Sequence, residues 1–270
     1  MVVQHNMTSM NANRQLGITV GNQAKATEKL SSGYKVNRAG DDAAGLTISE
    51  KMRSQIRGLN KASTNAEDGI SVIQTAEGAL NEAHEILQRM NELATQAAND
   101  TNTSSDRTAI KKEVDALTSE LNRIASTTQF NTMNLLDGTF KGKNLQVGAL
   151  NGQTISISIK TMNATALGVN GLTVDSNSNA GTSMSKIQAA ISKVSTQRSA
   201  LGALQNRLEH TVKNLDTTSE NTQSAESRIR DTDMAAQMVE YSKNNILQQA
   251  GQSMLAQANS ANQGVLSLLQ

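Results

Sequence analysis

The stretch ISEKMRSQIRGLNKASTNAEDGISVIQTAEGALNEAHEILQRMNELATQA, residues 48–97, decides the fold. Fourteen steps of three or four residues connect its apolar or small positions and cover 49 residues, a period of 3.5 that is typical of a coiled-coil seam. At about 1.5 Å per residue, the predicted helix is about 75 Å long. The positions are Ile48, Met52, Ile56, Leu59, Ala62, Ala66, Ile70, Ile73, Ala76, Leu80, Ala83, Leu87, Met90, Ala94 and Ala97.

Two other stretches repeat this helical spacing. From Ile187 to Thr232 the steps again alternate between three and four residues. A shorter helix is predicted over residues 106–128, with Ser105 or Asp106 capping its start. Because only a polar turn separates it from the first helix, we expect those two helices to be antiparallel neighbours.

The middle of the chain has a different pattern. TQFNTMNLLDG (128–138) predicts a turn, and residues 139–175 are expected to contain a β-hairpin. Ile155, Ile157 and Ile159 alternate as on one buried face, and the Asn151-Gly152 pair is typical of a hairpin turn. VDSNSNAGTSM (174–184) is interpreted as a loop. The expected fold is therefore mainly α, a long helical bundle with a small β-hairpin insertion.

Composition supports slender helices and narrows the function classes. The 270 residues include no proline, no cysteine and only four aromatic residues, and the net charge is +1. Proline disrupts helix interiors, so its absence suits long helices. The charge gives no attraction to nucleic acid or to an anionic membrane, and no window is apolar enough to span a bilayer. The first residues lack the pattern of a secretory signal.

Both ends of the chain carry more apolar surface than one partner helix needs. Near the C-terminus the positions Leu247, Met254, Val265 and Leu268 share one stripe, with Leu255, Leu266 and Leu269 beside it; near the N-terminus Val3, Met7 and Met10 form a weaker stripe. Ordering about 70 terminal residues costs about 1–2 kcal/mol each in backbone entropy. We therefore expect the ends to be disordered in a single chain and to fold when other copies cover them.

Candidate chemical sites all have simpler explanations. The pair Asp41-Asp42 fits a turn followed by a helix N-cap, and Asp231 or Asp233 fits a cap on the last helix. The segment beginning at His84 lacks the second histidine of the zinc-protease pattern. No nucleophile–base pair, cofactor-binding loop or metal cluster is found, and no enzymatic activity is expected.

Three stretches carry a resemblance to a known family: residues 29–100, which begin KLSSGYKVNRAGDDAAG, residues 128–138 (TQFNTMNLLDG), and residues 220–270, which end QANSANQGVLSLLQ. In these stretches the sequence resembles the bacterial flagellins. The resemblance covers nearly the whole chain and implies a minimal flagellin without large outer domains. It also implies a discontinuous inner-tube domain, a two-helix coiled coil of 1–43 with 231–270, inside a shell domain of 44–230.

The resemblance further implies a secreted, self-assembling subunit of the extracellular flagellar filament. Its implied partners are other flagellin subunits, an export chaperone at the C-terminus, and the filament cap and hook junction proteins. Export is implied to proceed unfolded through the flagellar type III apparatus. The inner-tube contacts would involve the terminal apolar residues named above.

Host receptors are also implied. Gln88, Arg89, Leu93 and Glu113 match positions through which flagellins bind Toll-like receptor 5, although Asn91 and Thr95 depart from the common motif. Leu266, Leu268 and Leu269 resemble the terminal leucines recognised by the cytosolic inflammasome sensor of flagellin. The same surfaces also fit plain subunit packing.

Two alternatives remain open at this point. One is a hook–filament junction protein, a flagellin relative made in few copies. The other is a non-flagellar, cytosolic coiled-coil adaptor, which would form a helical oligomer of fixed size. The ability to form long filaments alone distinguishes the three.

Overall fold

The computed structural model describes the backbone of residues 6–267 and the side chains of residues 6–261. Its contacts divide the chain into two compact units. The terminal unit comprises the chain up to Ser54 and from Asn221 onward, and the central unit comprises Gln55–Glu220. Among the described residues, no helix is both long and apolar enough to cross a bilayer.

Helices dominate the order of elements. The helices are α1 (Met7–Ser32), α2 (Ala43–Ala97), α3 (Ser104–Thr127), α4 (Ala164–Leu167), α5 (Asn177–Arg230) and α6 (Met234–Ser267). Between α3 and α4 lie four short strands, β1 (Gln129–Phe130), β2 (Met133–Asn134), β3 (Lys143–Gln146) and β4 (Thr154–Ile157). Together with the contact between α1 and α6, these elements confirm the predicted mainly α fold with a hairpin insertion and paired terminal helices.

The core of the central unit follows the predicted 3.5-residue seam of α2. Ile73, Leu80, Leu87 and Met90 are fully buried there. They pack in one cluster with buried residues of α3 and α5, including Ile110, Val114 and Leu121 of α3 and Ile187, Val194, Leu201 and Leu208 of α5. The seam does not extend to its predicted first position, because Ile48, in the terminal unit, is 46% exposed.

Side-chain contacts fix the direction of these helices. Ser63 Oγ donates to Asp216 Oδ1 at 2.9 Å, and Ser219 Oγ donates to Asn60 Oδ1 at 2.7 Å, so α2 and α5 run antiparallel. The α3 helix turns back along α2 as predicted, since Arg107 Nε donates to the Ala97 carbonyl at 3.1 Å. The cap of α3 differs from the prediction: Thr103 is the N-cap, and Asp106 completes a reciprocal capping box with it.

The hairpin packs on α2. β3 and β4 pair antiparallel, with Leu145 opposite Ile155. Ile155, Ile157 and Ile159 are buried, as predicted, and Gly152 adopts a left-handed φ of 86° in the connecting turn. Gly69 leaves room for the Leu145 side chain, because a Cβ there would lie 2.2 Å from Leu145 Cδ1 and would force that methyl group to shift.

The two predicted connections on either side of the hairpin have different outcomes. Residues 128–138 form the predicted turn, a small β1–β2 pair in which Asn131 and Thr132 have positive φ angles. Residues 174–184 are not a loop throughout, because α5 begins at Asn177. The polar composition concealed this start: Ser176 accepts the amide of Ala180 at 2.9 Å through its carbonyl, and the small residues Ala180 and Ser183 are buried.

We expect Leu80→Ala to destabilise the central unit by about 2–5 kcal/mol, because Leu80 is fully buried and truncation leaves a cavity. Urea unfolding followed by circular dichroism measures the change. Leu150→Ala is the matched control, since Leu150 is 69% exposed and its truncation should cost less than about 0.5 kcal/mol. Equal losses for the two variants would contradict the assigned core.

Candidate functional site: the paired terminal helices

The α1 and α6 helices pack against each other in antiparallel orientation. Asn6 Nδ2 donates to the Ala258 carbonyl at 2.9 Å, and Ser9 Oγ donates to Asn259 Oδ1 at 2.8 Å. Further along, Gly251 allows close approach, because a Cβ there would lie 3.2 Å from a methyl carbon of Leu16. The contact therefore runs along much of both helices.

Local signals explain why both helices form in a single chain. Asn6 caps α1 by accepting the amide of Ser9, and Gly33 ends it in the left-handed conformation. Asp233 caps α6 by accepting the amides of Ala235 and Ala236 at 2.9 and 3.1 Å, which selects it over Asp231. The expectation of disordered ends is therefore not met in the described residues, because caps and one partner helix support each end.

The seam between the two helices is narrow and partly polar. Among their described side chains only Ala26 and Asn244 are buried, at 2% and 3% exposure. Asn244 is a polar residue in this position, and its amide lies 3.4 Å from Glu240 Oε1. A contact with so few buried apolar groups gives little hydrophobic stabilisation.

Most of the described large apolar side chains of this pair are exposed. Ten of the fourteen large hydrophobic residues that are exposed in the described part of the chain lie in α1 or α6. Soluble monomers rarely display such a concentration unless it serves an interaction. The ten are Met7, Met10, Ile18, Val20, Met234, Met238, Val239, Ile246, Leu247 and Met254.

The residues predicted for the inner tube fall into three groups. Met7, Met10, Leu247 and Met254 are exposed, between 46% and 68%, and Leu255 is half-buried. Val265 and Leu266 lie in α6 beyond the last described side chain. Val3, Leu268 and Leu269 lie outside the described residues.

An open groove follows one side of the pair. It has a volume of about 550 Å³ and is lined by residues of both helices, including Leu16, Leu247, Gly251 and Met254. Small and apolar residues make up the α6 side of this groove, and polar residues of α1, including Asn11 and Gln15, line much of the other side. On a different side of α6, Val239 and Ile246 are exposed and lie seven residues apart. The single apolar stripe predicted on this helix did not include these two residues, although their spacing is present in the sequence.

The connections at the base of the pair are held by Arg230. Its guanidinium lies 4.4 Å from the centre of the Tyr34 ring and 3.2 Å from Glu50 Oε1. Lys35 donates its amide to the Arg230 carbonyl at 2.6 Å, and Thr232 donates its amide to the Gly33 carbonyl at 3.0 Å. The segment that follows α1 and the segment that precedes α6 are therefore held together by backbone and side-chain contacts.

Asp41 and Asp42 have the structural roles predicted for them. Asp41 Oδ2 accepts the amides of Arg38 and Asn37 at 3.0 and 3.1 Å, and Asp42 Oδ1 accepts the amide of Gly45 at the start of α2 at 2.9 Å. The hydrogen bonds from the Arg38 and Asn37 amides hold the pKa of Asp41 below its ordinary value.

The predicted receptor residues lie on α2 and α3 of the central unit. Arg89 donates through Nε and Nη2 to Glu113 Oε1 at 3.0 and 2.9 Å, and its hydrogen bonds to the carboxylates of Glu113 and Glu92 raise the pKa of Arg89. Gln88 is exposed and contacts His84 at 2.8 Å. Leu93 is not on this surface, because it is 2% exposed and packs in the core.

The described residues contain no group of three or more His, Asp or Glu that could hold a metal ion. The most developed surface feature is thus the apolar exterior of the α1–α6 pair.

Comparison with known proteins matches both ends of the chain. Residues 3–141 match the bacterial flagellin N-terminal helical region, and residues 184–269 match the bacterial flagellin C-terminal helical region. The chain belongs to the bacterial flagellin family. Flagellins are structural filament proteins, so the chain is not an enzyme.

Individual relatives agree with this assignment along the full length. The chain is 55% identical over 273 residues to a flagellin of Halalkalibacterium halodurans and 51% identical over 286 residues to the flagellar filament 31.3 kDa core protein of Treponema maltophilum, with complete coverage of both chains in each case. The structural match to the crystal structure of Bacillus cereus flagellin covers 56% of this chain and 88% of that protein's chain, with a TM-score of 0.50 and 32% sequence identity.

We expect Asp41→Ala to destabilise the terminal unit at neutral pH, because it removes the acceptor for two amides. The pKa of Asp41 is lower in the folded state than in the unfolded state, so its stabilisation is present above about pH 4 and is lost as the pH falls through the lowered value. The difference in melting temperature from the unaltered chain should therefore shrink on acidification. Asp68→Ala is the control, since Asp68 is exposed. A difference that is independent of pH between 2 and 7 would contradict this role.

Proposed function

We propose that this chain is the subunit of an extracellular flagellar filament, with α1 and α6 forming the inner wall. The observation that carries the proposal is the exposure of ten large apolar side chains on a pair of helices in which just two of the described side chains, Ala26 and Asn244, are buried. The domain boundaries proposed for this role are 1–43 with 231–270 for the inner tube and 44–230 for the outer shell.

Simple energetics favours copies of the same chain as the cover. Covering a half-exposed Met, Leu, Ile or Val side chain contributes about 1 kcal/mol. Ten such residues contribute about 10 kcal/mol per subunit before the costs of association. Because the residues lie on several sides of the pair, one flat partner would leave some exposed, whereas neighbours on each side of a tube cover them together.

The relatives support the same assembly. The Treponema maltophilum protein named above is a flagellar filament core protein and matches the present chain over its full length. We carry over from the resemblance the export through the flagellar type III apparatus, the chaperone at the C-terminus, and the filament cap and hook junction proteins. These partners are proposals that follow from filament assembly.

Electron microscopy of polymer formed from the purified chain alone tests the proposal against its alternatives. A filament subunit forms long tubes. A hook–filament junction protein forms no long tube by itself, and a coiled-coil adaptor forms particles of fixed size.

We expect the double variant Leu247→Ser and Met254→Ser to raise the critical concentration for polymerisation at least tenfold. Both side chains line the groove beside α1 and are 46% and 65% exposed in the single chain, so the substitutions remove apolar surface that is available for contact in the polymer. A loss of about 1 kcal/mol at each site corresponds to about thirtyfold in an equilibrium constant. Sedimentation of polymer across a concentration series measures the change.

Met133→Ser is the matched control, because Met133 is also an exposed apolar residue, at 40%, but lies in the central unit. The helical content of both variants is checked by circular dichroism of the monomer. If the double variant polymerised at the same critical concentration as the unaltered chain, the assignment of these residues to the inner wall would be refuted.

A second proposed role is recognition by Toll-like receptor 5. It is favoured by the exposed Arg89 guanidinium, which is held on the surface by two hydrogen bonds to Glu113. A planar, pre-oriented guanidinium suits a protein interface. Leu93 would contribute by supporting α2 from inside the core. Recognition of Leu266, Leu268 and Leu269 by the inflammasome sensor is proposed on sequence grounds alone.

We expect Arg89→Ala to weaken binding of the monomer to the receptor ectodomain at least tenfold, since a central interface arginine commonly contributes about 2 kcal/mol or more. Surface plasmon resonance gives the affinity. Arg123→Ala on α3 is the control, because Arg123 is likewise exposed and paired with a glutamate, Glu120. Unchanged binding of the Arg89 variant would exclude this site.

A further inference from the structure

Methionine is concentrated on the exposed apolar surface of the α1–α6 pair. Of the ten large apolar residues that are exposed there, five are methionines, although methionine supplies only 11 of the 270 residues of the chain. We call these five the terminal methionines, and their exposed fractions lie between 48% and 68%. They are Met7, Met10, Met234, Met238 and Met254. The surface assigned to contacts between subunits is therefore rich in a side chain that oxidation can change.

The described methionines outside α1 and α6 are better covered, with one exception. Met90 and Met162 are buried in the central unit, at 0% and 3% exposure. Met52 and Met184 are half-buried. The exception is Met133, which is 40% exposed in β2. An oxidant in solution therefore reaches the terminal methionines and Met133 before it reaches the others.

No other side chain of this protein competes strongly with methionine for a mild oxidant. The sequence contains no cysteine and no tryptophan. Oxidation converts the thioether of methionine, which is flexible and apolar, into a polar sulfoxide, and this change disrupts contacts that are rich in methionine.

A sulfoxide at these positions opposes assembly more than it opposes folding. Met254 lines the open groove between α1 and α6, and Met7 and Met10 line a second depression of about 540 Å³. A sulfoxide in either place can bond to water while the subunit is free, and it loses those hydrogen bonds when another copy covers it. The helices themselves are capped by Asn6 and Asp233, so they do not need the terminal methionines to be covered.

We propose that the terminal methionines form a redox-sensitive site that controls entry of the subunit into the polymer. Its substrate is a peroxide. The sulfur lone pair takes one peroxide oxygen, the O–O bond breaks, and the second oxygen leaves as water with both protons. Sulfur is oxidised by two electrons, and the peroxide is reduced by two. The inference rests on the proposed filament function and specifies how its subunits are regulated.

The reverse step needs a reductant from outside the chain, which has no cysteine of its own. A dithiol, as in the methionine sulfoxide reductases, removes the sulfoxide oxygen as water and becomes a disulfide. Each of the two sulfoxide epimers has its own reductase. Oxidised subunits therefore stay out of the polymer until both reductases act, whereas neighbours shield the terminal methionines of subunits that are already assembled.

Peptide mass spectrometry after treatment with hydrogen peroxide tests the chemistry, since each sulfoxide adds one oxygen atom. In the monomer, the terminal methionines should be oxidised at least about tenfold faster than Met90 and Met162, because exposure sets access. Met133 should be oxidised at a rate close to that of the terminal methionines. In assembled polymer, the terminal methionines should be protected. Equal rates at exposed and buried methionines of the monomer would contradict the inference.

Sedimentation of partly oxidised monomer tests the effect on assembly with the natural sequence. The monomer is added to short polymer seeds, and peptides from the pellet and the supernatant are compared. Sulfoxide at the terminal methionines should be at least about tenfold less abundant in the pellet, because assembly would bury it. Sulfoxide at Met133 is the control within the chain and should be distributed evenly. Circular dichroism of the oxidised monomer should match that of the untreated monomer.

Leucine substitution assigns the effect to the sulfur atoms, because leucine conserves the apolar volume of methionine and cannot form a sulfoxide. The fivefold variant should assemble at the same critical concentration before and after peroxide treatment. The control variant Met133→Leu retains the terminal methionines, so peroxide should still raise its critical concentration at least about tenfold. Treatment with both reductases should reverse that rise. The fivefold variant carries Met7→Leu, Met10→Leu, Met234→Leu, Met238→Leu and Met254→Leu.

The outcomes separate the inference from the proposed function. If the untreated chain forms no polymer, the filament function fails. If it polymerises, but subunits with sulfoxide at the terminal methionines enter the pellet as readily as unoxidised subunits, the redox-sensitive site is wrong. A fivefold variant that assembles and remains as sensitive to peroxide as the natural chain would also overturn it. If the fivefold variant does not assemble, the sedimentation comparison decides, because it uses the natural chain.

Discussion

Two helices that touch along one seam can cover only one side of each other, and the terminal unit depends on this limit. The α1–α6 pair buries Ala26 and Asn244 and leaves Met7, Val239 and Met254 at least 65% exposed. Its helices form through caps and local hydrogen bonding, so their secondary structure does not require the apolar residues to be covered. The same residues are therefore free to serve contacts between molecules.

The central unit shows the opposite allocation of apolar residues. Its long helices, short hairpin and α4 enclose one continuous cluster in which Leu80, Leu87 and Leu201 are fully buried. Among its described residues, most of what remains on the surface is polar and charged. The two units thus offer different kinds of contact, one apolar and the other electrostatic, which differ in their response to salt.

Most of the fold could be predicted from the sequence because of its hydrophobic periodicity. The 3.5-residue seam of α2, the turn at 128–138 and the alternating isoleucines of the hairpin were all readable, because each arises from a regular burial pattern. The start of α5 was not, since the polar residues Asn177, Ser178 and Asn179 are typical of loops and only the burial of Ala180 and Ser183 reveals the helix. Likewise, the burial of Leu93 depends on how the other elements of the core cluster pack on α2, which the sequence of α2 alone does not specify. For the candidate site, the sequence alone showed the excess of apolar residues near the termini. Which of these side chains stay exposed depends on how α1 and α6 contact each other, and the sequence did not specify that contact.

The thin seam between α1 and α6 also sets how this molecule moves. Local opening free energies scale with the apolar area that a segment buries, so the terminal pair has far less resistance to separation than the densely packed central unit. Amide hydrogens of α1 and α6 should then exchange with solvent in a separate, faster class than those of the core. In the proposed filament, a subunit with this hierarchy rearranges α1 and α6 at a lower free-energy cost than it rearranges its central unit.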